Sequence, residues 1–266
     1  MIVFDRLKDG KKNALTLSYD DGRNHDRRLV EIMNKNGIRG TFHLNSGILD
    51  GESFITSNEI AQLYENHEVS CHGVRHRTLS SLPVHNIVQE ILEDRRALEK
   101  ASGGIVRGMS YANGIYSDEI INTIKQCGIV YSRTTQNTQN FRLPCDFMKW
   151  NPTCHHKDCI EAGKRFLDSF NGYFAYPRLL YIWGHSYEFD RENNWNLIVE
   201  FCQMMSGNDD IWYATNIEIY EYISAQKQLI ISADNKIIHN PTATQVWFTN
   251  DGELQTIMPG ETLHIG

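Results

Sequence analysis

Seven times in succession between residues 14 and 222, a short strand signal is followed by a helix signal, and few architectures accept that rhythm. Residues 14–19 alternate apolar and polar and predict a first strand, followed by Leu29, Val30, Ile32 and Met33 at helical spacing with Gly37 as the stop. Residues 40–44 predict a second strand, and Thr56 and Glu59 have capping-box spacing ahead of Ile60, Ala61 and Leu63. A third strand at 68–71 precedes Ser81 and Pro83, a helix start whose pattern runs through Ile87, Ile91, Leu92 and Leu98 to Gly103. Residues 105–111 predict a fourth strand, Ile120, Ile121 and Ile124 a helix closed by Gly128, and 129–133 a fifth strand. The stretch 134–157 reads as irregular. Asp158 and Glu161 are spaced as a second capping box before a helix to Phe170. A sixth strand at 179–183, a helix at 195–205, a seventh strand at 211–214 and a helix from Asn216 through Tyr222 complete the series.

Uninterrupted β-then-α units imply one parallel barrel or a doubly wound sheet. After about Ala225 the period changes to two: 245–249, the turn Asn250-Asp251-Gly252 and 254–258 predict a small antiparallel module. The expected organisation is a barrel over 1–225 with a β appendage packed on it over 226–266. Those last strands carry no chemistry that the sequence names; they cover a barrel edge or make an oligomer contact.

Composition excludes several function classes. Among 266 residues, 41% are hydrophobic and 22% charged, so the chain is neither disordered nor fibrous. A net charge of −7 argues against a general nucleic-acid or anionic-membrane partner. The longest apolar run, 179–183, falls far short of a membrane span of about 20 residues. The first twelve residues include Asp5, Arg6, Lys8, Asp9, Lys11 and Lys12 and hold no signal-peptide apolar region. That reads as cytoplasmic, or as extracytoplasmic only if a leader has been trimmed. Six scattered cysteines in a chain of this size call for no disulfide framework.

Unusual polar residues collect where the predicted strands end. Asp20 and Asp21 follow the first strand, His72 the third with His76 four residues on, Tyr111 ends the fourth, and His185 the sixth. Catalytic groups of barrels and open α/β sheets gather at the carboxyl ends of strands. One carboxylate and two imidazoles suit Zn²⁺, with Co²⁺, Ni²⁺ and Mn²⁺ as other divalent occupants. A helical turn over 72–76 would put both histidines on one face. Of two adjacent carboxylates, one can bind the metal while its neighbour takes a proton from the attacking water, and His185 can protonate a leaving group. The set spells metal-assisted hydrolysis. His43 and Asn45, just past the second strand, are candidate substrate contacts. The run Cys154-His155-His156-Lys157-Asp158-Cys159 lacks a C-x₂-C partner and reads as a solvated loop rather than a second zinc site.

These residues resemble the polysaccharide deacetylases, carbohydrate esterase family 4 with the NodB-homology fold. Ser18-Tyr19-Asp20-Asp21-Gly22 is similar to the family's T-F-D-D-G motif, and His72-Gly73-Val74-Arg75-His76 to H-[ST]-x-x-H-P with Arg77 in place of the proline. Residues 108–114 resemble the third motif and 181–185 the final L-x-H motif. The resemblance implies a distorted (β/α)7-type barrel and removal of an acetyl group, usually N-linked, from a carbohydrate. It implies Asp20 as base, Asp21, His72 and His76 as metal ligands, His185 as acid, and the Tyr111 backbone N–H as an oxyanion donor. Ser110, or Met109, stands where the family commonly has an arginine that tethers the base, with Arg107 or Arg75 as candidate replacements. The fourth motif, an Asp followed by an indole lining the sugar site, is matched loosely by Asp146 and Trp150. The fold also serves non-sugar amides such as cyclic ureides, and a carbohydrate-binding protein with a weakened site is a third reading.

Overall fold

In a computed structural model describing residues 1–172 and 176–265, the chain begins with a short strand, β1 (Ile2–Val3), before the barrel opens. The repeating units then follow: β2 (Asn13–Asp20) and α1 (Asp26–Lys35); β3 (Gly40–Leu44) and α2 (Ile60–Leu63); β4 (Glu68–Cys71) and α3 (Val84–Ser102); β5 (Gly108–Ser110) and α4 (Asp118–Gln126). Next come β6 (Tyr131–Arg133), β7 (Cys154–His155), α5 (Cys159–Asp168), β8 (Arg178–His185), α6 (Ser186–Arg191) and α7 (Trp195–Met205). The barrel ends with β9 (Ile211–Tyr213) and α8 (Asn216–Gln228). All the barrel strands are parallel, in the order β6-β5-β4-β3-β2-β8-β7, with β9 pairing the first half of β2 on the side where β3 pairs its second half.

Alternation divides each strand between two environments. Leu15, Leu17 and Tyr19 of β2, with Phe42, Cys71, Met109 and Ile182 of its neighbours, belong to the core shared with the surrounding helices. The other parity, Ala14, Thr16, Ser18 and Asp20, faces the barrel interior, so β2 is buried along its whole length. Several interior polar groups are paired as burial favours. Thr16 Oγ1 donates to Asn216 Oδ1 at 3.0 Å, and the N-terminal amides of α8 donate to Thr41 Oγ1 and Glu68 Oε2 at 2.9 and 2.8 Å. α8 thus docks its first turn in the barrel floor, stopped by a Thr215–Glu218 capping box. Above it Tyr131, Trp150 and Tyr181 pack edge to face at 5.0–5.5 Å.

The sheet closes through a segment whose sequence reads as irregular. Trp150 donates its N–H to Ser132 O and accepts from Thr134 N, while Thr153 and β7 pair with β8. This staple is only a few residues long, lies between two strands and lacks alternation, so periodicity does not reveal it. The Asp158–Glu161 spacing forms no side-chain cap, and Thr56–Glu59 bond each other ahead of a single turn, α2.

After α8, which runs three residues past Ala225, two small antiparallel sheets follow. One joins β1 to β12 (Val246–Asn250) and β13 (Glu253–Ile257), and so draws in the N-terminus. The other joins β10 (Ile230–Ile231), β11 (Ile237–His239) and β14 (Thr262–His264). Among the described residues, no helix is long and apolar enough to cross a membrane.

Asp26, fully buried at the start of α1, ties the end of β8 to the helical layer: Ser186 Oγ and Tyr64 OH both donate to it. Burial pushes its carboxyl up to about 7. A carboxyl raised in the fold contributes stability that is full below its ordinary value of 3.8 and is lost as pH rises through about 7. Thermal melts of Asp26→Asn and the wild type should therefore move in the variant's favour by several degrees between about pH 5 and about pH 8. A pH-independent difference would contradict the assignment.

Candidate active site

Asp20 ends β2 in register with His43 of β3 on one side and His185 of β8 on the other. One residue later the chain turns through left-handed conformations at Asp21 and Gly22, φ +80° and +63°. This turn sends two adjacent carboxylates in different directions. Asp21 faces His72 and His76, whose Nε2 atoms both lie 3.7 Å from its Oδ1. The 72–76 segment is a loop rather than the expected helical turn, with Gly73 at φ +82° and His76 at φ +54°. Two of the three clustered residues thus occupy a region that side chains avoid, strain that concentrates at functional sites.

The loop is fastened from behind by α3. Asp94 Oδ2 accepts from the N–H groups of His72 and Gly73 at 3.1 and 3.0 Å, and its Oδ1 accepts from Ser46 N at 2.9 Å. Glu90 Oε1 accepts from Arg75 N at 2.9 Å. Asn45 Nδ2 donates to the carbonyls of His72 and Gly73 at 2.8 and 2.9 Å. His72 Nδ1 lies 3.0 Å from Ser110 O, a bond that fixes its tautomer and leaves Nε2 free to ligate. Burial holds this imidazole below its ordinary range, so the neutral, ligating form prevails.

Asp20 has a separate set of partners. Ser110 Oγ donates to its Oδ1 at 3.1 Å, and Arg133 Nη2 donates to its Oδ2, a fully buried ion pair. Burial alone would raise the Asp20 carboxyl, but the Arg133 guanidinium, with His72, His43 and His185, holds it well below the usual carboxylate range. The tethering arginine therefore exists, but it comes from β6 instead of β5. Arg107 pairs with Glu221, the Arg75 side chain is exposed, and Met109 faces the helices. Arg133 ends the predicted fifth strand at an inward position, and the strand-end rule that found Asp20 and His185 could have found it.

That arrangement corrects the expectation for Tyr111. Its N–H donates to Arg133 O at 3.0 Å as a rung of the β5–β6 ladder, and is not free to meet an oxyanion. Its hydroxyl donates to Met148 O at 2.9 Å beneath the rim. His43 and Asn45 are also not substrate contacts, for both are 0% exposed. His43 Nε2 sits 3.0 Å from Ser18 Oγ below Asp20, and burial pushes its imidazole down to about 3. Asp146 caps a one-turn helix, accepting from Met148 N, and Trp150 is buried in the barrel floor, so neither lines an open sugar site. The half-buried indole at the rim is Trp183, over which the Arg133 guanidinium stacks at 4.6 Å.

His185 starts α6, and its N–H donates to Glu188 Oε2 at 3.2 Å. Burial would lower its imidazole, but Glu188 and the two rim aspartates raise it above its ordinary value. His155 and His156 also face Glu188, so the run expected to be a solvated loop is part of the rim; His156 is only 2% exposed.

The polysaccharide deacetylase family model matches residues 7–132, a stretch that ends one residue before Arg133. A chitooligosaccharide deacetylase of Sinorhizobium fredii is 22% identical over 134 residues, which is 49% of this chain and 61% of that protein. The chain spans about half the length of the curated relatives it matches. Among solved structures, a candidate polysaccharide deacetylase from Mycobacterium smegmatis superposes with a TM-score of 0.62 at 17% identity, covering 85% of this chain and 94% of that one. Puue allantoinase superposes equally well, at 14% identity over 81% and 91% of the two chains. These structural likenesses show the fold.

Asp94→Asn keeps the size of the side chain but halves its acceptors, loosening the His72 backbone. Zn²⁺ affinity, measured calorimetrically on metal-free protein, should fall about 10–100-fold. Unchanged affinity would mean that α3 does not position the loop.

Proposed function

We propose that the chain is a polysaccharide deacetylase of the NodB-homology type, a metal-dependent hydrolase removing acetyl groups from an N-acetylated sugar or oligosaccharide. The observation that carries the reading is the division of labour between Asp20 and Asp21. Asp21 converges with His72 and His76, whereas Asp20 is bound by Arg133 and Ser110 and lies 3.8 Å from His72 Nε2. Two imidazoles and one carboxylate with open positions fit Zn²⁺, which when bound supplies Lewis acidity towards a carbonyl and towards its water.

The protein's own residues supply the proton traffic. Asp20 is ionised throughout the working range and accepts the proton of the attacking water. Arg133 keeps it ionised and aimed, at the cost of making it a weak base, so its basicity is exerted only as the water itself becomes acidic. His185, its imidazole raised by Glu188 and the rim aspartates, donates a proton to the departing amine nitrogen. Trp183 offers an indole to a sugar ring at the mouth of the site.

The test is acetate release from N-acetylated chitooligosaccharides, O-acetylated oligosaccharides and cyclic ureides as a control, using protein stripped of metal and reloaded with Zn²⁺. Metal-restored acetate release from the N-acetylated sugars is expected. In Asp20→Asn turnover should fall about 10²–10⁴-fold, while Zn²⁺ binding stays intact. Full turnover in that variant would remove Asp20 as base, and ring opening of the ureides without acetate release would overturn the substrate class.

A further inference from the structure

A second set of metal-ligating side chains sits beside the first and shares no residue with it. His155 ends β7, His185 ends β8, and Glu188 lies in the first turn of α6. One ligand atom from each lies within 4.8 Å of the others. His155 Nε2 is 3.0 Å and His185 Nδ1 3.4 Å from Glu188 Oε2. Zinc bonds of about 2.0–2.1 Å place neighbouring ligands of a tetrahedral ion roughly 3.4 Å apart, which is the His185–Glu188 separation, while His155 stands closer at 3.0 Å.

His185 Nδ1 lies 3.4 Å from the Glu188 carboxylate oxygen, the length of a ligand–ligand edge. His72 and His76 approach Asp21 at a comparable 3.7 Å. His156 stands behind the set, 3.3 Å from Glu188 Oε2 and 2% exposed. Its ring lies where a Cβ at Gly184 would be, only 2.2 Å from Nδ1, so glycine there is needed for the ring to fit. A buried imidazole against a ligating carboxylate is the kind of support that metal sites use.

We infer that His155, His185 and Glu188 form a second divalent-cation site, suited by its two nitrogen donors to Zn²⁺, Ni²⁺ or Cu²⁺ rather than Mg²⁺ or Ca²⁺. Binding there engages the His185 Nδ1 lone pair. A functional consequence rests on the proposed role of His185 as the acid: an ion on Nδ1 ties the imidazole to His155 and Glu188, so the ring no longer serves the leaving group and turnover slows. Metal in excess of one ion per chain should then inhibit.

Calorimetric titration of metal-free protein with Zn²⁺ tests the site without reference to activity. Two ions per chain are expected for the wild type. One is expected for His155→Ala and for Glu188→Gln, with the remaining ion lost in the double variant carrying His76→Ala. Circular dichroism checks that each variant is folded, and the Glu188→Gln protein answers the question if His155→Ala does not fold. A wild type binding one ion, or a second ion retained in both His155→Ala and Glu188→Gln, overturns the proposal. Activity titrations then address the consequence separately: the wild type should lose at least about tenfold in rate as the second ion binds, and His155→Ala should show no such loss relative to its own one-metal rate.

Discussion

The ion pair between Asp20 and Arg133 is the constraint on which the rim depends. Both side chains are essentially excluded from water, where a lone carboxylate would cost so much that it would take up a proton. The guanidinium lets Asp20 stay charged, and Ser110 and the surrounding imidazoles complete its environment. Breaking such a pair by removing one partner costs about 3–5 kcal/mol. The pair also fixes backbone. Holding Arg133 at the end of β6 keeps β6 in ladder with β5, which in turn consumes the Tyr111 N–H.

Around that pair the rim is built in layers. Asp21, His72 and His76 converge in one group, and α3 supplies two carboxylates that hold the loop carrying the histidines. On the far side, Glu188 gathers three imidazoles. Strain at Asp21 and His76 is tolerated because each is over-determined by neighbours, as the Asp21 N–H to His43 O bond at 3.0 Å illustrates.

Much of this was legible in the sequence, for physical reasons that also explain what was not. Period 3.6 and period 2 signals found the seven units because each strand must bury one face against helices, and strand-end placement found Asp20, Asp21, His72, His76 and His185. The closing staple at Trp150–His155 leaves no periodic signal, because its strand is only Cys154–His155, and its sequence therefore reads as irregular. His43 and Asn45 were assigned to substrate because sequence gives position along a strand but not depth within a barrel. Asp94 and Glu90 were present as a signal: they fall on the same helical stripe as Ile87, Ile91 and Leu98, where a buried carboxylate needs a partner. Tyr111 and Trp150 show the limit of carrying roles over by motif, since the backbone N–H of the first is spent on Arg133 O and the indole of the second is buried.

The most direct test of the central pair is the pH–rate profile of the metal-loaded enzyme with Arg133 replaced by methionine, which keeps the length and removes the charge. The proposed base is Asp20 in its ionised form, and the guanidinium is what holds that carboxyl low. The acidic limb of the variant should therefore move up by about 1–3 pH units relative to the wild type, with Arg133→Lys intermediate. A profile with its acidic limb unmoved would mean that Arg133 does not govern Asp20.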